Sequence, residues 1–213
     1  MRPAEKDELD TKKYPESYRR YLKQEERFIA KSVGTADKVL DVGCGAGRLI
    51  PLLAPKVFSY TGIDKDGEYI KQAKKAASHY SNTKILALDA HKISEKFRQN
   101  AFDVAVAAWH TIGCVSDDMK VLKELSKVAG KRIIFSVASK GSLETRIKYY
   151  NLLGIDYKAD KKSETIFSKS WDRVRAYSEQ DIRDLCKGLP FSIKEIKPVL
   201  GLGYFVVLER NLD

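Results

Sequence analysis

Three glycines in five residues, Gly43-Cys-Gly-Ala-Gly47, follow directly on the run Lys38-Val-Leu-Asp-Val42. A strand, a glycine turn and a helix start in that order bring backbone amides against a ligand, because glycine has no Cβ to hold it off. The residues around the glycines narrow the choice of ligand. A dinucleotide fingerprint asks for glycine at the first, third and sixth positions. Gly43 and Gly45 satisfy the first two, but the sixth is Arg48, and the third glycine comes one residue early, at Gly47. No Gly-Lys-Ser or Gly-Lys-Thr follows, which excludes a P-loop. Asp41, just ahead of the loop, would repel a pyrophosphate and suit a ligand with a positive amino group. Two further aspartates, Asp64 and Asp89, close later apolar runs, and a carboxylate accepts from two hydroxyls at once. His110 is of the type that takes a proton near neutral pH. A histidine that only hydrogen-bonds a loop carbonyl is its competing reading. Cys44, Cys114 and Cys186 form no CxxC pair and no metal-ligand spacing, so they read as reduced, structural thiols, and no metal site is expected.

The elements that must position these side chains alternate. Tyr14 to Ile29 is predicted as an amphipathic helix with Tyr18, Tyr21, Leu22, Phe28 and Ile29 on one stripe, broken only by Glu25. Strands are predicted at 38–42, 59–63, 84–88 and 102–109, the last continuously apolar after its Asp, as suits a strand covered on both faces. Between them fall helical segments at 48–53 and after Asp66, a plausible N-cap, with Tyr69, Ala73, Ala76, Ala77 and Tyr80 on one face. Ser116 can cap a helix that runs past Lys127 and stops at Gly130, before a fifth strand at 132–137. Residues 139–176 break the alternation, with one helix carrying Leu143, Ile147, Tyr150 and Gly154 and then a polar tract. Ser178-Glu-Gln-Asp181 starts a helix in capping-box style. Strands at 191–197 and 204–209 end the chain and are able to pair as a hairpin. Alternating strand and helix argues for an α/β domain with a parallel sheet between helices.

Val39-Leu-Asp-Val-Gly-Cys-Gly-Ala-Gly47 resembles the first motif of class I S-adenosylmethionine-dependent methyltransferases. Thr61-Gly-Ile-Asp64, Leu88-Asp-Ala90 and Phe102-Asp-Val-Ala-Val-Ala-Ala-Trp109 resemble the family's next three strand-end motifs, in order. The resemblance covers residues 35–137 and returns in Arg175-Ala-Tyr-Ser-Glu-Gln-Asp-Ile182, similar to the penultimate helix start of small-molecule members. It implies a Rossmann-like, seven-stranded, mostly parallel sheet with an antiparallel last strand and helices on both faces. It also implies S-adenosylmethionine as cofactor and S-adenosylhomocysteine as product. Asp41, Gly43, Cys44 and Gly45 would then meet the methionine end, Asp64 and Lys65 the ribose side, and Asp89 and the Ala90 amide the adenine. Ala107 and Trp109 would face the methyl donor, with His110 next to it as the catalytic candidate. In smaller members a leading helix covers the cofactor, which gives Tyr14, Tyr18 and Tyr21 that role, with Tyr21 counted among the cofactor contacts. Core packing is the equal alternative for these rings. Residues 1–213 are expected as one domain, with 1–35 a helical lid and 139–176 an insertion capping the acceptor pocket. Tyr149 or Tyr150 would line that pocket, one of them facing outward.

The 213 residues suit one large core, with 43% hydrophobic and 32% charged residues, a globular composition. No apolar run approaches the roughly 20 residues that span a bilayer, and the charged start Met1-Arg-Pro-Ala-Glu-Lys gives no signal peptide, so a cytoplasmic protein without a membrane partner is expected. The net charge of +10 would suit RNA, but basic residues are interleaved with acids, as in Lys23-Gln-Glu-Glu-Arg27, and form no block. Ala108-Trp-His-Thr111 is also unlike the Asn/Asp-Pro-Pro-aromatic motif of enzymes that methylate exocyclic base amines. No cysteine has the context of a base C5 methyltransferase. A small-molecule nitrogen or oxygen acceptor is therefore expected, in a monomer or homodimer. An RNA acceptor and a non-catalytic cofactor-binding module are the alternatives.

Overall fold

The structure, a computed structural model, describes residues 11–169 and 172–211. Five strands lead the fold: β1 (Lys38–Val42), β2 (Ser59–Asp64), β3 (Thr83–Ala87), β4 (Phe102–Ala107) and β5 (Ala129–Ser139). They lie in the order 3-2-1-4-5, all parallel. Beyond β5 the sheet continues through the closing hairpin, whose second strand (Gly203–Arg210) pairs antiparallel with β5 and whose first (Phe191–Val199) forms the edge. The seven-stranded sheet with an antiparallel last strand is thus as expected. A two-residue strand, Ala176–Tyr177, adds an eighth, parallel to the end of β5.

Helices cover both faces because the strands alternate two apolar sides. Leu40, Val42, Ala105, Ala107 and Phe135 pack on one face against four later helices. Val39, Tyr60, Val104, Val106 and Ile134 pack on the other, against the leading helix, the segment after the glycines and the next helix. In chain order the helices are α1 (Glu16–Ser32), α2 (Ile50–Leu53), α3 (Gly67–Ala77), α4 (Ile93–Lys96), α5 (Thr111–Cys114), α6 (Asp118–Val128), α7 (Leu143–Leu152) and α8 (Glu179–Cys186). α3 starts where Asp66 accepts from the Glu68 and Tyr69 amides, as expected. Its buried side is turned slightly from the predicted one: Ile70 and Ala73 enter the core, while Tyr69 faces the cleft described below. α6 is capped by Asp117, which accepts from the Lys120 amide at 2.9 Å, rather than by Ser116. Nor does Gly130 stop this helix, which ends at Val128. The glycine lies inside β5, where a Cβ would stand 3.3 Å from the Phe102 carbonyl. The capping box at α8 forms, with the Asp181 amide donating to Ser178 Oγ and the Ser178 amide to Asp181.

The expected polar tract is the largest departure. After α7 it folds into a three-stranded antiparallel sheet, β6 (Tyr157–Asp160), β7 (Thr165–Ser168) and β8 (Asp172–Val174). Its apolar residues join a third cluster, in which Ile166 and Ile155 meet Tyr14, Tyr18 and Tyr21 of the leading segment and Tyr149 and Tyr150 of α7. Both α7 tyrosines are consequently buried, because a second layer covers the face that would otherwise meet water. Residues 1–10 of the expected lid lie outside the described residues.

Candidate functional site

At the carboxyl ends of β1, β2 and β4 the chain leaves a cleft of about 880 Å³. Parallel strands end there together, and ligands of open α/β sheets bind at such ends. Gly43, Gly45 and Gly47 all take left-handed backbone, with φ of 69°, 52° and 89°, a conformation that side chains disfavour. Gly43 is also a close approach: a Cβ there would stand 2.7 Å from Thr111, at the start of α5. A Cβ on Gly45 would meet nothing within 4 Å, and Gly45 lines the cleft. The loop is fastened to β2, since the Gly43 and Cys44 amides donate to the Ile63 carbonyl at 2.9 and 3.0 Å.

The three aspartates at the ends of β1, β2 and β3 line this one cleft, each in a different state. Asp64 is oriented by backbone, the Gly45 amide donating to Oδ2 at 2.9 Å and the Asp66 amide to Oδ1 at 3.0 Å. A carboxylate oxygen has two lone pairs, so each keeps acceptor capacity for a hydroxyl. Asp89 accepts from the His91 amide at 2.9 Å and pairs with its Nδ1 at 2.7 Å, and the backbone bond is the main reason that its carboxyl titrates lower than usual. Asp41 is buried, and the Tyr60 hydroxyl donates to it. Burial pushes the Asp41 carboxyl up to about 7, a rise that the Tyr60 hydrogen bond and Arg48 only partly oppose. A cationic group entering the cleft would favour its ionised form.

Beyond β4 the chain turns through two consecutive left-handed residues, Trp109 (φ 52°) and His110 (φ 63°). Bulky side chains resist that conformation, so the turn is strained and must be held from outside. Tyr14 stacks on Trp109 at 5.9 Å between ring centroids, and Tyr18 meets it edge-on. Trp109 and Tyr14 line the cleft, whereas Tyr18 and Tyr21 pack in the tyrosine cluster away from it.

Most of the predicted site residues therefore come together: Asp41, Gly43, Cys44, Gly45, Asp64, Lys65, Asp89, Ala90 and Trp109 line one cavity. Three do not. Ala107 points into the core, and its neighbour Ala108 takes the wall. Tyr21 is fully buried between Phe205 and His110. The His110 ring lies behind the wall, stacked on Trp109, and burial lowers its pKa to about 4, so it is neutral at pH 7. A buried ring that does not line the cleft is badly placed to take a proton from a ligand there. Cys44 and Cys114 line the cleft as protonated thiols, since burial raises both, Cys114 to about 12.

Several cleft residues gave no sequence signal. Phe167, Asp172 and Arg173 reach the cavity from the three-stranded sheet, and Lys65 pairs with Asp172 at 3.0 Å across its mouth. Arg173 Nε donates to the Val115 carbonyl at 2.7 Å, tying β8 to the segment after α5. His91 carried no sequence signal beyond lying two residues after Asp89. Among the described residues no cluster of His, Cys, Asp and Glu is arranged to hold a metal.

A model of the methyltransferase domain family matches residues 33–179. Among curated proteins none matches. Solved structures with the same fold include a protein from Pyrococcus horikoshii, 23% identical, with a TM-score of 0.73 over 97% of this chain and 99% of that one. An S-adenosylmethionine-dependent methyltransferase from Methanosarcina mazei is 21% identical, with a TM-score of 0.67 over 87% and 98%. The 1,6-didemethyltoxoflavin-N1-methyltransferase of Burkholderia thailandensis, solved with its acceptor and S-adenosylhomocysteine, is 17% identical, with a TM-score of 0.66 over 89% and 77%.

Proposed function

This chain belongs to the methyltransferase domain family, and on that premise we propose that it transfers a methyl group from S-adenosylmethionine to a nitrogen or oxygen atom of a small molecule. The observation that carries the proposal is the convergence of Asp41, Asp64 and Asp89 with the left-handed glycine loop on a single cleft. The fit to the cofactor is chemical. A buried carboxylate at Asp41 suits an ammonium, the backbone-oriented Asp64 suits a vicinal diol, and Asp89 with the Ala90 amide suits an aminopurine edge. Lys65, beside Asp64, closes the ribose side through Asp172.

Bound, S-adenosylmethionine supplies a methyl carbon activated by its sulfonium. The chain's own task is alignment: to hold an acceptor atom in line with that carbon and to exclude water. Trp109 and Tyr14 supply one wall on the acceptor side, with ring faces that attract cationic groups. Phe167 and Arg173 supply the other. Residues 11–35, the described part of the 1–35 segment, act as the lid, and 139–176 cap the acceptor end. His110 belongs in this reading to the support of the wall and not to proton transfer. An acceptor that arrives unprotonated needs no base. The Burkholderia structure of similar fold, an N1-methyltransferase with 1,6-didemethyltoxoflavin bound, supports the choice of a small molecule.

We place the protein in the cytoplasm, as a monomer or homodimer. Its free cysteines fit that compartment, and among the described residues no helix is long and apolar enough to cross a membrane. The test is transfer of labelled methyl from S-adenosylmethionine into fractionated metabolites and, separately, into RNA. Label in a metabolite fraction is the expected result. Label in RNA alone would replace the acceptor class, and label in neither, with the cofactor bound, would make the protein a binding module.

A further inference from the structure

Glu25 interrupts the apolar stripe of α1, yet it is only 1% exposed. A carboxylate so buried is costly unless charge and hydrogen bonds compensate it. Its partners come from three separate places. On Oε1 it accepts from the Trp109 amide at 2.9 Å and from the Ser136 hydroxyl of β5 at 2.5 Å. On Oε2 it pairs with Arg48, the residue that follows Gly47. The Ser136 hydroxyl also accepts from the His110 amide at 3.2 Å, so both residues of the strained turn after β4 are held through this group. Arg48 and Trp109 line the cleft, whereas neither Glu25 nor Ser136 does.

We propose that Glu25 is a positioning residue that couples the glycine loop to the Trp109–His110 turn, so that the donor and acceptor halves of the cleft are set by one buried carboxylate. The proposal rests on the reading of this cleft as the S-adenosylmethionine site. Residue type matters here, because an ionised carboxylate is acceptor-only and so takes two neutral donors and a guanidinium together. A glutamine can satisfy Trp109 and Ser136 only by turning its NH2 towards Arg48, or the reverse. Arg48 keeps a second partner, Glu26, at 3.1 Å. Loss of Glu25 therefore leaves the guanidinium paired and removes the linkage between the two sides.

The test is a double-mutant cycle read by calorimetric titration of the whole chain with S-adenosylhomocysteine. Glu25→Gln is expected to weaken binding about tenfold, a usual size for coupling between sites. Ser136→Ala, which removes a group outside the cleft, is expected to weaken it by about threefold in the native background and not at all in the Glu25→Gln background. Native-like affinity in both single variants, or effects that multiply in the double variant, would overturn the proposal. If Glu25→Gln does not fold, Arg48→Met takes its place in the cycle with the same non-additivity required. Failure of the native chain to bind S-adenosylhomocysteine would instead fall on the cofactor reading, and would remove this proposal with it.

Discussion

Asp41 is the residue at which fold stability and ligand affinity oppose each other. Burial lifts its carboxyl from the usual aspartate value of 3.8 to about 7. The native chain therefore holds a proton there that the unfolded chain has released, and stability falls as pH rises through that window, then stays lower above it. Asp41→Asn keeps an acceptor for the Tyr60 hydroxyl and removes the titration. It is expected to resist urea better than the native chain at pH above about 7, by a few kcal/mol, with the gain shrinking as pH falls towards 4. Affinity for S-adenosylhomocysteine should behave in the opposite sense. In the native chain it should rise as Asp41 ionises, while in the variant it should be weaker and flat with pH. Urea midpoints and calorimetric affinities across the same pH series check both. His110 adds an acid-side effect: burial lowers its pKa from 6.5 to about 4, so the stability due to its neutral form is lost as pH falls through that interval.

At the level of elements, the three-stranded sheet and α7 form the unit proposed to cap the acceptor end, and Arg146 holds it together. The side chain is 3% exposed, and its guanidinium donates to the Val174 carbonyl at 3.1 Å and to the Glu164 carbonyl. Arg146→Met would leave the buried Val174 carbonyl and the half-buried Glu164 carbonyl without this donor, at a cost of about 2–4 kcal/mol. Amide exchange should then rise in β6–β8 more than in β1–β5, and an equal rise in both would contradict this division. That unit was hardly legible in the sequence. Its strands are only three or four residues long, so the alternation of Tyr157 and Ala159 with Lys158 and Asp160 is too brief to stand out from a polar tract, and Asp172-Arg-Val174 shows none. Most of the parallel strands were legible because burial on both faces writes β1, β2, β4 and β5 as largely apolar runs, and Asp41, Asp64 and Asp89 lie at or near the ends of β1, β2 and β3. Asp41, Asp64 and Asp89 are therefore local signals. Glu25 is not, since its partners lie 23, 84 and 111 residues away and in the sequence it looks like a flaw in a helix stripe. The same holds for Tyr149 and Tyr150, where helix geometry predicts one outward ring and a second layer buries both.

For the whole molecule, the charge of +10 is the property most open to a second meaning. Thirty-nine basic residues against 29 acidic ones create a field that attracts any polyanion, specific or not. Several of these charges around the cleft are already engaged: Arg48 with Glu25 and Glu26, Lys65 with Asp172, and Arg175 with Asp118. RNA retention on the protein is therefore expected to vanish steeply between about 50 and 200 mM salt, as counterion release dictates, while methyl transfer to a small molecule changes little over that range. Filter binding and transfer rates along one salt series separate the two. More narrowly, our proposal is that the cleft between Gly43, Asp64 and Asp89 takes S-adenosylmethionine. Its most direct test is titration with S-adenosylhomocysteine of the native chain and of Asp64→Ala, whose lost carboxylate holds the Gly45 amide and faces the cleft. One-to-one binding to the native chain, weakened at least about tenfold in the variant, is the predicted result. No binding by the native chain, or equal binding by both, would contradict it.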